Sequence, residues 1–295
     1  MRSVPILLFI VLAAAAGPVH AQGALEPTAP PAPVMKTLDQ VEPRSPISSA
    51  GTIAAPGSYY LTNDIDGRLT IAADDVDLDL RGFTITGTGT FSVEIDSVEN
   101  VRLHGGTVRG STSAPIRVAA SSHVLLENLR VLDAAFNAVQ VNDHSGLLVI
   151  RSIVVDTSGF AGIRVINTQA ESVEAVIEDN IVTNANTIDT NVRPAISLVH
   201  TGAGALTAAV SRNRVFGNRT TGIAVLAEGG GTSGGIVSGN TIHDNGGTGL
   251  FVDGDFIVSK NIAHDNVINY DLAGAPNAAP VSTLASAGAW DNVGQ

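Results

Sequence analysis

The sequence predicts an all-β fold, a single-stranded parallel β-solenoid of about eight coils, and three observations carry that expectation. A pattern of the type Ile-x-x-Asn-x-Val recurs eight times through residues 80–263, as LRGFTI, LHGGTV, LENLRV, IRSIVV, IEDNIV, VSRNRV, VSGNTI and VSKNIA. Its fourth positions, Phe83, Gly106, Leu129, Ile153, Asn180, Asn213, Asn240 and Asn261, lie 21 to 33 residues apart, which is the length of one coil. Between copies runs a short Gly-Ile-x-Val segment, such as Ile163-Arg164-Val165 or Ile223-Ala224-Val225, in which apolar residues alternate with exposed ones as in a half-buried strand.

Taken in order, residues 1–21 have the form of a secretory signal peptide. Arg2 supplies the positive start, Val4 to Ala16 an apolar stretch, and Val19-His20-Ala21 the small residues of a cleavage site. The stretch is shorter than the ~20 residues a membrane span needs, so the chain is expected to be exported, periplasmic or extracellular, without membrane insertion. Residues 22–46 carry six prolines and read as an extended tether. Residues 47–68 are expected to cap the N-terminal end, residues 69–268 to form the coils, and residues 269–295, which lose the period, to cap the C-terminal end with Trp290 as a plug.

Composition fits a narrow aliphatic core. Hydrophobic residues make up 44% of the chain and aromatics only 4%, so layers of Val, Ile, Leu and Ala must fill the interior. There is no Cys, which excludes disulfides and thiolate metal sites. The net charge of -12, or -13 once Arg2 leaves with the signal peptide, disfavours nucleic acid as a partner. Asn at the fourth position of the later coils is expected to stack into an amide ladder, with a second column at Asn218, Asn245 and Asn266. Extra residues around 185–193, and the Gly-rich stretch 227–235, read as loops leaving the solenoid, the second of them mobile by composition.

The coils resemble the right-handed parallel β-helix repeats of the pectin-lyase-like superfamily. The segments Gly57 to Thr62, Asp74 to Ile85 and Asn269 to Leu272 extend that resemblance over nearly all of the chain beyond the signal peptide, toward exported bacterial β-helix proteins. The resemblance implies a right-handed β-helix and a polysaccharide-related function. It does not extend to the hydrolase chemistry of the superfamily. The stretches that would carry catalytic Asp residues, such as Phe136 to Val139, Phe160 to Ile163 and Thr220 to Ile223, hold no acid, and glycoside hydrolysis needs a pair of carboxylates.

Three sets of residues offer other chemistry. Glu94, Arg117, Gln140 and Arg164 occupy the outward position of consecutive coils, where Arg117 and Arg164 would hold uronate carboxylates in a lyase-like site; the plainer alternative is a ladder in which Glu94 pairs with Arg117. His243 and His264 repeat within His-Asp-Asn one coil apart, two imidazoles with adjacent carboxylates suited to a metal or to proton transfer. Asp253 and Asp255 flank a glycine on a turn, on the same side as Asp143, His144, His200 and Glu228, and oxygen ligands of this type take Ca²⁺. The expected function is therefore binding or lyase-like processing of extracellular or cell-envelope polysaccharide. The alternative is a non-catalytic structural or adhesive surface protein.

Overall fold

The computed structural model describes residues 44–188, 193–283 and 288–294. The expected signal peptide and the tether as far as residue 43 lie outside the described residues, as do residues 189–192 of the insertion. Among the described residues every regular element is a strand, and no helix is long and apolar enough to cross a membrane.

The chain winds as a solenoid in which a full coil supplies three short strands. One coil is Val173–Glu178, Ile181–Thr183 and Ile196–His200. Each pairs in parallel with its counterpart one coil later, Leu206–Ser211, Arg214–Phe216 and Ile223–Ala227. The third strands of successive coils build a ten-stranded parallel sheet running from Gly51–Ile53 to Ile268–Gly274, and the first and second strands join in a 19-stranded sheet. The register is set by the inward side chains. Val93, Ile116, Val139, Ile163, Ile196, Ile223 and Leu250 lie directly opposite one another down the ten-stranded sheet, all fully buried. A slip of one residue would turn this whole aliphatic column out to water, at about 1.5–3 kcal/mol for each side chain exposed.

The corner between first and second strands explains the repeat. The residue before the fourth position has a left-handed backbone in every copy, including non-glycine residues at Asn128, Ser152, Asp179, Arg212 and Lys260 with φ of 52° to 58°. Such conformations are unfavourable for L-residues and need outside support. In the later coils the Asn side chain supplies it. Asn180 Nδ2 donates to Asn213 Oδ1 at 3.0 Å, Asn213 to Asn240 at 3.0 Å, and Asn240 to Asn261 at 2.9 Å. The backbone N–H of each donates to the same oxygen. The second column is bonded likewise, Asn218 to Asn245 at 2.8 Å and Asn245 to Asn266 at 2.9 Å.

The winding extends beyond the expected coils at both ends. Ser45–Ile47 pairs in register with Tyr59 to Leu61, and Gly51–Ile53 with Leu69 to Ile71, so the segment expected as an N-terminal cap is itself wound as coil. Its Ile53, Leu61 and Ile65 are buried as in any other coil. At the other end Asn292–Gly294 pairs with Ile262 and Ala263, and Asn261 Nδ2 donates to Asn292 Oδ1 at 2.9 Å. The tail thus adds a rung that the 31-residue gap to Asn292 hides in the sequence. Trp290 is no plug: it is 66% exposed, with Lys260 Nζ 3.9 Å from its ring centroid.

Two further expectations change. The glycines of 227–235 serve close packing of stacked turns, since a Cβ on Gly229 would lie 1.9 Å from the Gly202 carbonyl oxygen and one on Gly231 1.7 Å from that of Gly204. His144 and His200 do not face solvent with the turn carboxylates but lie inside a corner, 1% and 2% exposed.

Candidate functional site

The ten-stranded sheet places Glu94, Arg117, Gln140 and Arg164 in one outward column, continued by Ser197, Ala224, Phe251 and Asp271. Within that column the side chains have different fates. Arg117 Nη1 donates to Glu94 Oε1 and to Asp96 Oδ2, both at 2.8 Å, and its guanidinium lies over the Phe91 ring. Arg68 bonds the other oxygen of Glu94. The pairing of Glu94 with Arg117 is therefore present, and Arg117 is already neutralised. Gln140 is engaged by Asn137, whose Nδ2 donates to Gln140 Oε1 at 3.1 Å.

Arg164 differs. No hydrogen bond or ion pair engages its guanidinium among the described residues. Beyond it the column shrinks to Ser197 and Ala224 before Phe251 rises, leaving a groove of about 320 Å³. One wall is Ile166, Val199 and Leu226, the second outward column of the same strands. The opposite wall is Arg193 and Pro194, at the end of the insertion, with Thr221 and Thr248. Arg193 is held by its backbone, where Thr220 Oγ1 donates to the carbonyl, and its guanidinium lies over the Phe160 ring, 5.6 Å from the centroid. Its Nε is buried without a partner. Burial, and then the positive charge of Arg193, hold the Arg164 guanidinium below the usual arginine range. Two cations thus share a partly apolar groove that no carboxylate lines among the described residues, an arrangement that an anion relieves.

A family model described as a right handed beta helix region matches residues 67–207. The chain is a right-handed parallel β-helix repeat protein. No curated protein and no solved structure matches it. The match ends within the coils of the groove, and the parallel pairing continues past it to Ile268–Gly274, with a register shift between Phe251 and Asp253.

The other sequence-derived candidates lie elsewhere on the β-helix. His243 and His264 are on the strands Thr241–His243 and Ile262–His264 of the 19-stranded sheet, on a different face from the groove. Asp253 and Asp255 flank a turn closed by Gly254, whose N–H donates to the Gly274 carbonyl at 2.8 Å. Among the described residues no group of three or more His, Asp or Glu side chains converges as metal ligands. A larger cavity, about 470 Å³ at the N-terminal end around Pro46 to Ala55, has Tyr59 as its one titratable side chain among the described residues. Sequence reading missed Arg193 and Phe251. The 33-residue interval between Asn180 and Asn213 marked the insertion but not which residue turns inward, whereas Phe251 was visible as an aromatic side chain at an outward strand position.

Proposed function

We propose that this protein binds an acidic polysaccharide outside the cytoplasm, along the outer face of the ten-stranded sheet, with Arg164 and Arg193 holding a uronate carboxylate. The observation that carries the reading is the pair of arginines lining one groove in which no carboxylate appears among the described residues. Arginine's planar fork matches a carboxylate and keeps its charge when partly buried. Neighbouring rungs at about 4.8 Å suit a repeating polymer laid along the axis, with Ser197, Thr221 and Thr248 offering hydroxyls and Phe251 an apolar platform. The β-helix fold fits a polysaccharide-related or surface protein in general. Export through residues 1–21 belongs to the same proposal.

The proposal is binding rather than cleavage. A lyase needs a proton acceptor beside the carboxylate, and no Asp, Glu, His, Lys or Tyr lines the groove among the described residues. The test is calorimetric titration with polyuronate and with a neutral glucan of the same length, alongside ultraviolet detection of unsaturated sugar ends. Polyuronate alone should bind, and Arg164→Ala or Arg193→Ala should weaken it by about tenfold or more, a charge-assisted hydrogen bond being worth ~1.5–3 kcal/mol. Equal binding by both variants overturns the site, and release of unsaturated ends overturns the non-catalytic reading.

A further inference from the structure

The repeated triplets His243-Asp244-Asn245 and His264-Asp265-Asn266 assemble a second feature, independent of the groove. His243 lies directly opposite His264 in parallel pairing. Their rings stack with centroids 5.0 Å apart and planes 2° from parallel. Phe216, one coil earlier, stacks on the other face of His243 at 5.1 Å and 5°, so the His243 ring is held in its orientation from both sides.

Each letter of the triplet has a separate task. Asn245 and Asn266 belong to the second amide column, and each donates from Nδ2 to the carbonyl of its own His, at 3.0 and 2.9 Å, fixing the backbone. Asp244 and Asp265 both have φ of 54°, a left-handed turn that brings the carboxylate back onto the preceding ring. His243 Nδ1 lies 2.7 Å from Asp244 Oδ2, and His264 Nδ1 lies 2.8 Å from Asp265 Oδ2. A carboxylate accepts only, so in each neutral ring the proton sits on Nδ1 and Nε2 carries the lone pair. Because the two rings are parallel and anchored through the same nitrogen, both lone pairs leave the surface on the same side. Neither Nε2 has a protein hydrogen-bond partner among the described residues. Aromatic stacking alone would explain the parallel rings. It would not explain why both rings are tied through the same nitrogen to a carboxylate, which is how ligating histidines are commonly oriented and made more basic toward a metal.

We propose that His243 and His264 form a two-histidine site for a divalent transition-metal ion, with Asp244 and Asp265 as positioning residues. Imidazole nitrogen selects Cu²⁺, Ni²⁺ or Zn²⁺ over Ca²⁺ and Mg²⁺, and Cu²⁺ heads the affinity order. Two metal–nitrogen bonds of about 2.0–2.1 Å set the ligating nitrogens roughly 3–4 Å apart, so the rings lean together by about an ångström on binding. Side-chain exposures of 23% and 33% leave room for that movement and for water to complete the coordination.

The test uses the untagged full chain and Cu²⁺ alone, followed by calorimetry and by electron paramagnetic resonance. One Cu²⁺ per chain with a two-imidazole nitrogen pattern is expected. His243→Ala or His264→Ala should lose that pattern and weaken binding more than tenfold. Asp265→Asn, at an exposed corner, keeps the fold and should weaken binding about tenfold or more by releasing its ring. His123→Ala, another exposed histidine, should change nothing. Absence of Cu²⁺ binding, or binding by the His243→Ala/His264→Ala double variant equal to that of the parent, overturns the site.

Discussion

Replacing Asn213 with leucine tests whether amide side chains hold the left-handed corners of the later coils. The Asn213 side chain is fully buried. Its Oδ1 accepts from the Asn180 backbone N–H at 3.1 Å and from Asn180 Nδ2 at 3.0 Å, and its Nδ2 donates to the Ile177 carbonyl at 2.9 Å and to Asn240 Oδ1 at 3.0 Å. Leucine has a similar volume, so no large cavity forms, but all four bonds go. Asn180 Nδ2 retains the Ile150 carbonyl, and Asn240 Oδ1 retains the Asn213 backbone N–H. The Asn180 N–H retains nothing, and water has no route to it. An orphaned buried donor costs about 1–3 kcal/mol, and the lost side-chain pairing adds about 1, so destabilisation of about 2–4 kcal/mol is expected. Urea denaturation measures the total, and hydrogen exchange at the Asn180 amide locates it. A loss below about 1 kcal/mol with unchanged protection of that amide would show that sheet pairing alone holds the corner, and the reasoning would fail.

Two further outcomes follow from burial. His144 is 1% exposed, its Nε2 lies 3.0 Å from the Leu147 carbonyl, and burial holds its imidazole below the ordinary value of 6.5, against that hydrogen bond and helped by nearby His123. The unfolded chain takes up a proton there that the folded chain refuses, so this contribution is complete above the unfolded value and is lost progressively as pH falls from there toward the lowered folded value; urea stability should decline below about pH 6.5, and His144→Leu should flatten the decline. Gly229→Ala puts a methyl into the Gly202 carbonyl and should lower stability by about 1–3 kcal/mol in the same assay, whereas Gly230→Ala, with open space at its Cβ, should change it by less than about 0.5.

The period and the strand alternation were legible because a solenoid repeats one local environment along the chain. Each coil must present the same volume to the next, and that requirement writes itself into the letters. For the same reason Asn180, Asn213, Asn240 and Asn261 announced their column, and the stacked pair His243 and His264 could be located before any coordinates. Asn292 escaped because the tail runs 31 residues before its next rung. The rungs at Gly51–Ile53, Gly57–Leu61 and Asn292–Gly294 escaped because a degenerate copy of the repeat still winds when its inward positions stay apolar, as Ile53, Leu61 and Val293 do.

By itself, then, the sequence determined the β-helix, its register and which side chains face outward, since these follow from nearest-neighbour stacking with a short period. The tertiary structure alone decided which outward charges are free. Arg117 and Arg164 are equivalent in the repeat, yet Glu94 and Asp96 neutralise the first, while Arg193, brought over by an insertion that breaks the period, adds a second cation beside the second. Charge pairing depends on long side chains meeting across coils and loops, over distances that no local pattern encodes.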